Sequence, residues 1–299
     1  MKIAVTGATG LVGKHLLPFL AEKGHEVYSL VRQAPQNERQ IMWNSEQGFV
    51  PSELRKLENF DAVVHLAGAG IADERWSKAR KRVIKESRTA GTTVLVNSLA
   101  QLQNPPKTFV SASAIGYYGN RADDVLTEDA PPDNSFLADV CVEWEAAANR
   151  ARIFNARTAI LRIGIVLSTE GGALKEMLKP FKMGVGGRVG KGTQFVSWIA
   201  LLDLLRVVEF TLQNQNLSGA INVTAPNPVR NQEFAEILGK VLNRPAVVPT
   251  PEFAVRLMFG ELADALLFAS ARVVPKKLLE QNFQFRFVNI EDALRHLLQ

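Results

Sequence analysis

The chain of 299 residues is 46% hydrophobic and 22% charged. That composition supports one large core or two modest ones and excludes general disorder, collagen-like repeats and a disulfide scaffold. The net charge of +5 is a small surplus over so long a chain, pointing to a phosphate-bearing ligand and not to nucleic acid.

The longest apolar stretch, 253–268, is cut by Arg256, Glu261 and Asp264, short of the roughly 18 uninterrupted residues of a membrane span, so no membrane partner is expected. Met1 runs straight into an apolar strand without the features of a secretory signal, which predicts a cytoplasmic, reducing location. One cysteine, Cys141, and four scattered histidines show no ligand spacing and predict no metal.

In chain order, the β-branched run Lys2–Thr6 predicts a strand, Gly7–Gly13 a glycine turn, and Leu11–Lys23 a helix stopped by Gly24. Further strands are expected at Glu26–Val31, Ala62–Leu66, Thr108–Ser111 and Ala156–Ile163, with helices at Trp76–Gln101 and Ser135–Ala151. Short apolar strands alternating with helices imply a parallel sheet covered on both faces, a Rossmann-type doubly wound α/β fold. After about residue 165 the rhythm breaks into glycine-rich loops. A helix follows near Leu201–Leu212 and a strand near Ala220–Val223, then helices at Asn231–Leu242, Pro251–Phe259 and Asn289–Leu298, with Asn231 and Asn289 as capping residues. The expected division is 1–165 as the dinucleotide-binding domain, with a return of strand and helix from 195–224, and 166–299 as a smaller C-terminal α/β substrate domain with the cleft between them.

Thr6-Gly7-Ala8-Thr9-Gly10-Leu11-Val12-Gly13 joins the first strand to the first helix, the context in which such a glycine pattern marks a dinucleotide site. Gly7 allows the tight turn, Gly10 the approach of the pyrophosphate, and Gly13 close helix–strand packing, with the helix N-terminus facing the phosphates. The second strand ends in Val31-Arg32, with no carboxylate to hold ribose hydroxyls. A guanidinium there matches a 2′-phosphate and favours NADP (NADPH) over NAD, unless Arg32 is simply a solvated arginine.

TGATGLVG, DAVVHLAG (61–68) and FVSASAIGYYG (109–119) together resemble the extended short-chain dehydrogenase/reductase superfamily. GIADERW (70–76), SRTAGT (87–92), WEAAA (144–148), the run 171–187 and SWI (197–199) are similar to its atypical epimerase-family members of the YfcH and SDR39U1 type. The resemblance implies that Leu66, Ala67 and Gly68 line the adenosine side, that Arg88 meets the cofactor phosphates, and that Arg162 meets the nicotinamide end. Two alternatives stay open: Arg88 belongs to a basic helix that suits a solvated face, and Arg162 equally suits a buried ion pair.

The superfamily's Tyr-x-x-x-Lys pair, in which lysine lowers the tyrosine pKa, is absent. The positions expected to hold it are Leu137 and Cys141. Ser113 stands where the superfamily serine stands, with Ser111 as its neighbour, and Tyr117 follows closely enough to serve as the acid or base, or else to pack. Trp76 and Trp198 either wall the substrate or fill core. The loop 184–192 with Arg188 and Lys191 is either a lid over an anionic substrate or a plain loop. The sequence therefore predicts an NADP-dependent oxidoreductase or epimerase-like enzyme with an unidentified small-molecule carbonyl or alcohol substrate, working as a monomer or homodimer. The alternative is a catalytically silent NADP(H)-binding sensor.

Overall fold

The computed structural model describes residues 1–299. The β-branched runs become the strands of one parallel sheet: β1 (Lys2–Thr6), β2 (Glu26–Val31), β3 (Gln40–Met42), β4 (Ala62–His65), β5 (Thr108–Ala114), β6 (Arg157–Ile163) and β7 (Gly219–Val223). Their spatial order is β7-β6-β5-β4-β1-β2-β3. The order reverses between β1 and β4, the switch point where doubly wound sheets open a crevice at their carboxyl ends.

Period-two alternation sorts the strand side chains onto two faces. Ile3, Val5, Val64, Val110, Leu161 and Ile221 pack under helix α1 (Leu11–Glu22) and the helix Leu201–Gln213. Ala4, Val63, Phe109 and Ile160 pack on the other side with Leu95, Val96 and Leu99 of helix α2 (Lys78–Leu99) and with Ala148 of helix α3 (Phe136–Asn149). Leu278 and Phe283, far along the chain, join the first of these faces.

A separate apolar cluster gathers Leu174, Leu178 and Phe181 of helix α4 (Gly172–Lys182), Phe234 and Leu238 of the helix Asn231–Leu242, and Leu294 of the helix Ile290–Leu298. Trp198 lies fully buried there, its Nε1 donating to Asn227 O at 3.1 Å, so it is core and does not wall a cleft. Short ribbons tie the chain together: Ile165–Leu167 with Trp198–Ala200, Phe195–Val196 with Val229–Arg230, and Val125–Leu126 with Arg272–Val273.

Three sequence expectations change. Helix α4 occupies part of the stretch read as loops; its one-sided Leu174, Leu178 and Phe181 are its helical signature. Asn231 does not cap its helix: its Oδ1 accepts Val189 N–H at 2.7 Å. Asn289 makes no side-chain cap bond either. No helix is long and apolar enough to cross a membrane.

Candidate functional site

Gly7 holds φ +70, and a Cβ there would stand 2.9 Å from the carbonyl carbon of Leu66, so only glycine turns the chain this tightly. A Cβ on Gly13 would lie well inside contact distance of Gly7 O and 2.8 Å from Ala8 Cα; the helix abuts the turn because nothing is in between. Gly10 is exposed, and its Cβ would meet only Gly7 O, at 3.3 Å. The open approach at Gly10, with no acidic residue in the first turn of α1, leaves the helix's unpaired N–H groups facing outward, a cradle that fits a pyrophosphate. Thr9 is exposed beside it; Leu11 and Val12 are half-buried.

A buried chain of hydrogen bonds fixes the neighbouring strand end. The Thr6 hydroxyl accepts Leu66 N–H at 3.0 Å and Ala67 N–H at 3.1 Å, and faces His65 Nδ1 at 2.7 Å. With both acceptor sites used, Thr6 donates to Nδ1; His65 then carries its proton on Nε2 and donates to Thr92 Oγ1 at 2.9 Å. Nothing in the sequence motif marks His65, whose signal is only that a histidine ends an otherwise apolar strand. Burial lowers its pKa to about 4.

The unfolded chain, with an ordinary histidine near 6.5, therefore binds a proton that the folded chain refuses across that interval. Stability present above about pH 6.5 is expected to fall as the pH drops toward 4, by about 3 kcal/mol from this group. His65→Asn should show a shallower decline of urea midpoints over the same window, though lower stability at pH 7. An unchanged slope would show that His65 is not the group responsible.

At the carboxyl end of β2 Val31 is half-buried and Arg32 exposed. Arg39, Glu38 and Asn37 follow on the turn into β3, and Asn37 Oδ1 accepts Arg39 N–H. The segment 66–68 lies across the crevice, Leu66 and Ala67 half-buried and Gly68 exposed. Gly68 lies against Arg88: a Cβ there would come within 3.3 Å of the guanidinium carbon. Arg88 is half-buried over the Trp144 ring, 5.2 Å from its centroid, and donates only to Ile84 O of its own helix, at 3.0 Å. Burial lowers its pKa, and no carboxylate offsets the charge, so this cation is not the solvated face that its basic helix implied.

On the other side of the crevice the strand end of β5 meets a buried polar network. The Ser113 hydroxyl donates to Glu145 Oε1 at 2.8 Å; Arg162 clamps the same carboxylate through Nε at 2.8 Å and Nη2 at 2.9 Å. Arg162 Nη1 reaches the Tyr118 hydroxyl at 2.9 Å, which donates to Asn222 Oδ1 at 2.6 Å. Burial alone would lower the Arg162 pKa, but the Glu145 carboxylate more than reverses this and raises it.

Of the two roles open to Arg162, its contacts occupy the buried ion pair, leaving at most one N–H free for a nicotinamide. Tyr117 lies over this guanidinium, 3.4 Å from ring centroid to Cζ; its phenol makes no protein hydrogen bond, while Tyr118 is buried and pushed up to about 12 by burial. Ser111 is fully buried, its hydroxyl turned to Ala112 O at 3.1 Å.

Leu137 and Cys141 are both buried on α3. Burial, with the nearby Glu145 charge, raises the Cys141 thiol to about 11, which makes it a packing residue and not a nucleophile. Sequence reasoning missed Glu145, whose signal was a carboxylate inside the apolar face of α3 where only a paired charge is stable. Trp76 is half-buried, edge-on to Phe136 at 5.3 Å between centroids, with its Nε1 bonded to Ile71 O. The loop 184–192 is pinned by a backbone bridge between Val189 and Thr250 and by Asn231.

Residues 3–224 match the family model described as NAD dependent epimerase/dehydratase family, and 250–297 match a domain of unknown function, DUF1731. The "Epimerase family protein Mb2239" of Mycobacterium bovis is 42% identical, covering 98% of this chain and 96% of that protein. The "Epimerase family protein YfhF" of Bacillus subtilis is 36% identical, over 100% of this chain and 98% of that one. The crystal structure of the human epimerase family protein SDR39U1 with NADPH superposes with a TM-score of 0.90 at 32% identity, covering 99% of each chain. A UDP-N-acetylglucosamine 4-epimerase from Bacillus cereus, at 18% identity and a TM-score of 0.78 over 99% and 98% of the two chains, shares the fold. With a Rossmann sheet, a glycine cradle at its switch point and full-length relatives at these identities, the chain belongs to the NAD-dependent epimerase/dehydratase family.

Proposed function

We propose that the crevice binds NADPH in preference to NADH and that the protein transfers a hydride between this cofactor and a carbonyl or alcohol carbon of a small-molecule substrate. The observation that carries the cofactor reading is Arg32, an exposed guanidinium with no hydrogen-bond or ion-pair partner, beyond β2 where a carboxylate would otherwise meet the ribose. The NADPH complex of the human relative supports the same preference.

Gly7, Thr9, Gly10, Leu11, Val12 and Gly13 would cradle the pyrophosphate, and Val31, Leu66, Ala67 and Gly68 would line the adenosine side. Arg88, a cation without a counter-charge, would take an oxygen of the cofactor backbone. When bound, the dinucleotide supplies or accepts the hydride. On the protein's side, Ser113 spends its proton on Glu145, so its remaining lone pairs orient a substrate hydroxyl by accepting from it, with Ser111 packed behind. Tyr117, whose phenol has no protein partner, holds or releases the substrate proton, and Arg162 positions both Glu145 and the Tyr117 ring.

The test is a fluorescence titration of the purified protein with NADPH and with NADH, repeated on Arg32→Ala. A guanidinium–phosphate contact corresponds to about 1.5–3 kcal/mol, so NADPH affinity should drop about 10- to 100-fold toward the NADH value while NADH binding is unchanged. Binding of neither nucleotide would remove the cofactor reading, and an unaltered NADPH affinity would remove Arg32 from it.

A second reading, a redox sensor that keeps the cofactor site without turnover, is favoured by one observation: the two positions expected to hold the tyrosine and lysine are the buried apolar Leu137 and the un-ionised Cys141. It predicts protein-bound NADPH that stays reduced against a panel of carbonyl compounds, whereas steady oxidation by any of them excludes it.

A further inference from the structure

Sixteen large apolar side chains are exposed in this chain, and eight of them fall in two short segments, 183–185 and 247–259. The segments are neighbours in space: Thr250 N–H donates to Arg188 O and Gly190 N–H to Thr250 O, both at 2.9 Å, and Arg244 Nε donates to Lys182 O at 3.3 Å. Val247 is 79% exposed, Phe253 and Leu257 are 74%, and Met183 is 71%. Side chains this open stand proud of the surface; a groove would shield its own lining. Phe253 and Leu257 are one helical turn apart on the helix Glu252–Phe259, whose Val255 faces inward.

The charge around this apolar ridge is net positive, and the surplus lies on the 175–191 side. Residues 175–191 carry five cations and one carboxylate, and residues 240–264 carry three of each, so the two segments hold most of the chain's net charge of +5. The ion pairs here are Lys179–Glu176, Lys240–Glu291, Lys81–Glu261 and Arg256 with Glu252 and Asp264. Lys175, Lys182, Arg188, Lys191 and Arg244, all exposed, are left without an ion-paired carboxylate.

We infer that this ridge docks on an anionic lipid bilayer surface, with Phe253, Leu257 and Met183 entering the headgroup boundary and Lys182, Arg188, Lys191 and Arg244 resting on lipid phosphates and carboxylates. Protruding apolar side chains beside a strip of cations are the pattern of interfacial binding, in which buried apolar area and attraction to anionic lipid act together. A protein partner would need a matching concave apolar surface with acidic edges. The ridge asks no such shape of a deformable interface. The absence of a membrane-spanning helix bears on crossing the bilayer and not on resting upon it.

The test is co-sedimentation of the full chain with phosphatidylcholine vesicles, with and without phosphatidylserine, at low and high salt. Binding should require phosphatidylserine and fade at high salt. Phe253→Glu/Leu257→Glu should lower the affinity at least ~10-fold, since two apolar anchors are lost. Arg188→Glu/Lys191→Glu, which leaves the apolar ridge intact, should weaken binding to the phosphatidylserine vesicles in the same direction. All four side chains are exposed, and matching thermal melts would show that the folds are kept. Absence of binding, or equal binding to both vesicle types, overturns the inference. So does a dimer in light scattering that Phe253→Glu/Leu257→Glu splits into monomers while vesicles are ignored, because the ridge would then be a contact between two copies.

Discussion

Replacing Arg162 by methionine is expected to remove about 3–5 kcal/mol of folding stability, the loss typical when one partner of a buried ion pair is deleted. Arg162 is buried and its guanidinium serves the Glu145 carboxylate, the Tyr118 hydroxyl and Glu128 O together. Methionine fills much of the same volume but leaves Glu145 with only the Ser113 hydroxyl. The buried negative charge is then uncompensated. A urea titration followed by circular dichroism measures the loss.

The companion variant Glu145→Leu/Arg162→Met is the decisive control. With both charges gone there is no orphan, and the double variant should lose much less stability than the sum of the two single losses. Strict additivity would mean that the two residues do not depend on each other.

Gly13→Ala is expected to weaken NADPH binding by ~100-fold and to lower stability by about 1–3 kcal/mol, because the added methyl group meets the backbone of the turn and an overfilled contact relieves itself only by moving α1 away from the turn. The clash is with Gly7 O and Ala8 Cα, neither of which can swing aside as a side chain would. The same shift takes the helix N-terminus off the phosphates.

Gly10→Ala separates binding from folding. Its methyl group meets only Gly7 O, at 3.3 Å, so the fold should melt within about 1 kcal/mol of the parent while NADPH affinity falls. A Gly10→Ala chain that binds NADPH as the parent does would place the pyrophosphate elsewhere.

The sheet was legible because its strands are buried on both faces and therefore read as unbroken apolar runs between glycine turns. The strands 2–6 and 26–31 and the helices 201–213 and 231–242 stand within a residue of where periodicity places them. Less legible were β3 and the two-residue ribbons, which are too short for a pattern and exist through pairing with distant segments. The glycine turn was visible because its meaning is local.

Ser113 was placed by its strand end, but its partner Glu145 lies 32 residues on, and nothing in spacing alone joins a serine at a sheet edge to a carboxylate in a helix. Arg162 was undecided for the same reason: an arginine at a strand end suits a ligand or a counter-ion, and only the three-dimensional neighbourhood distinguishes them. Trp198 was likewise undecided between core and cleft wall, and burial settles it as core, while the bare Phe253 on the helix at 252–259 has no signal in the sequence.

Leu278 and Phe283 complete the apolar face of the sheet under Leu212, Leu217 and Ile221. A chain that has emerged from the ribosome only as far as β7 possesses every strand of the sheet yet still lacks two of the side chains that seal it. The nucleotide-binding half is thus finished last by residues read off the message near its end. Until they arrive, the nascent sheet carries an apolar gap for a chaperone to cover, and a graft that exchanges the C-terminal region between relatives exchanges part of the Rossmann core as well.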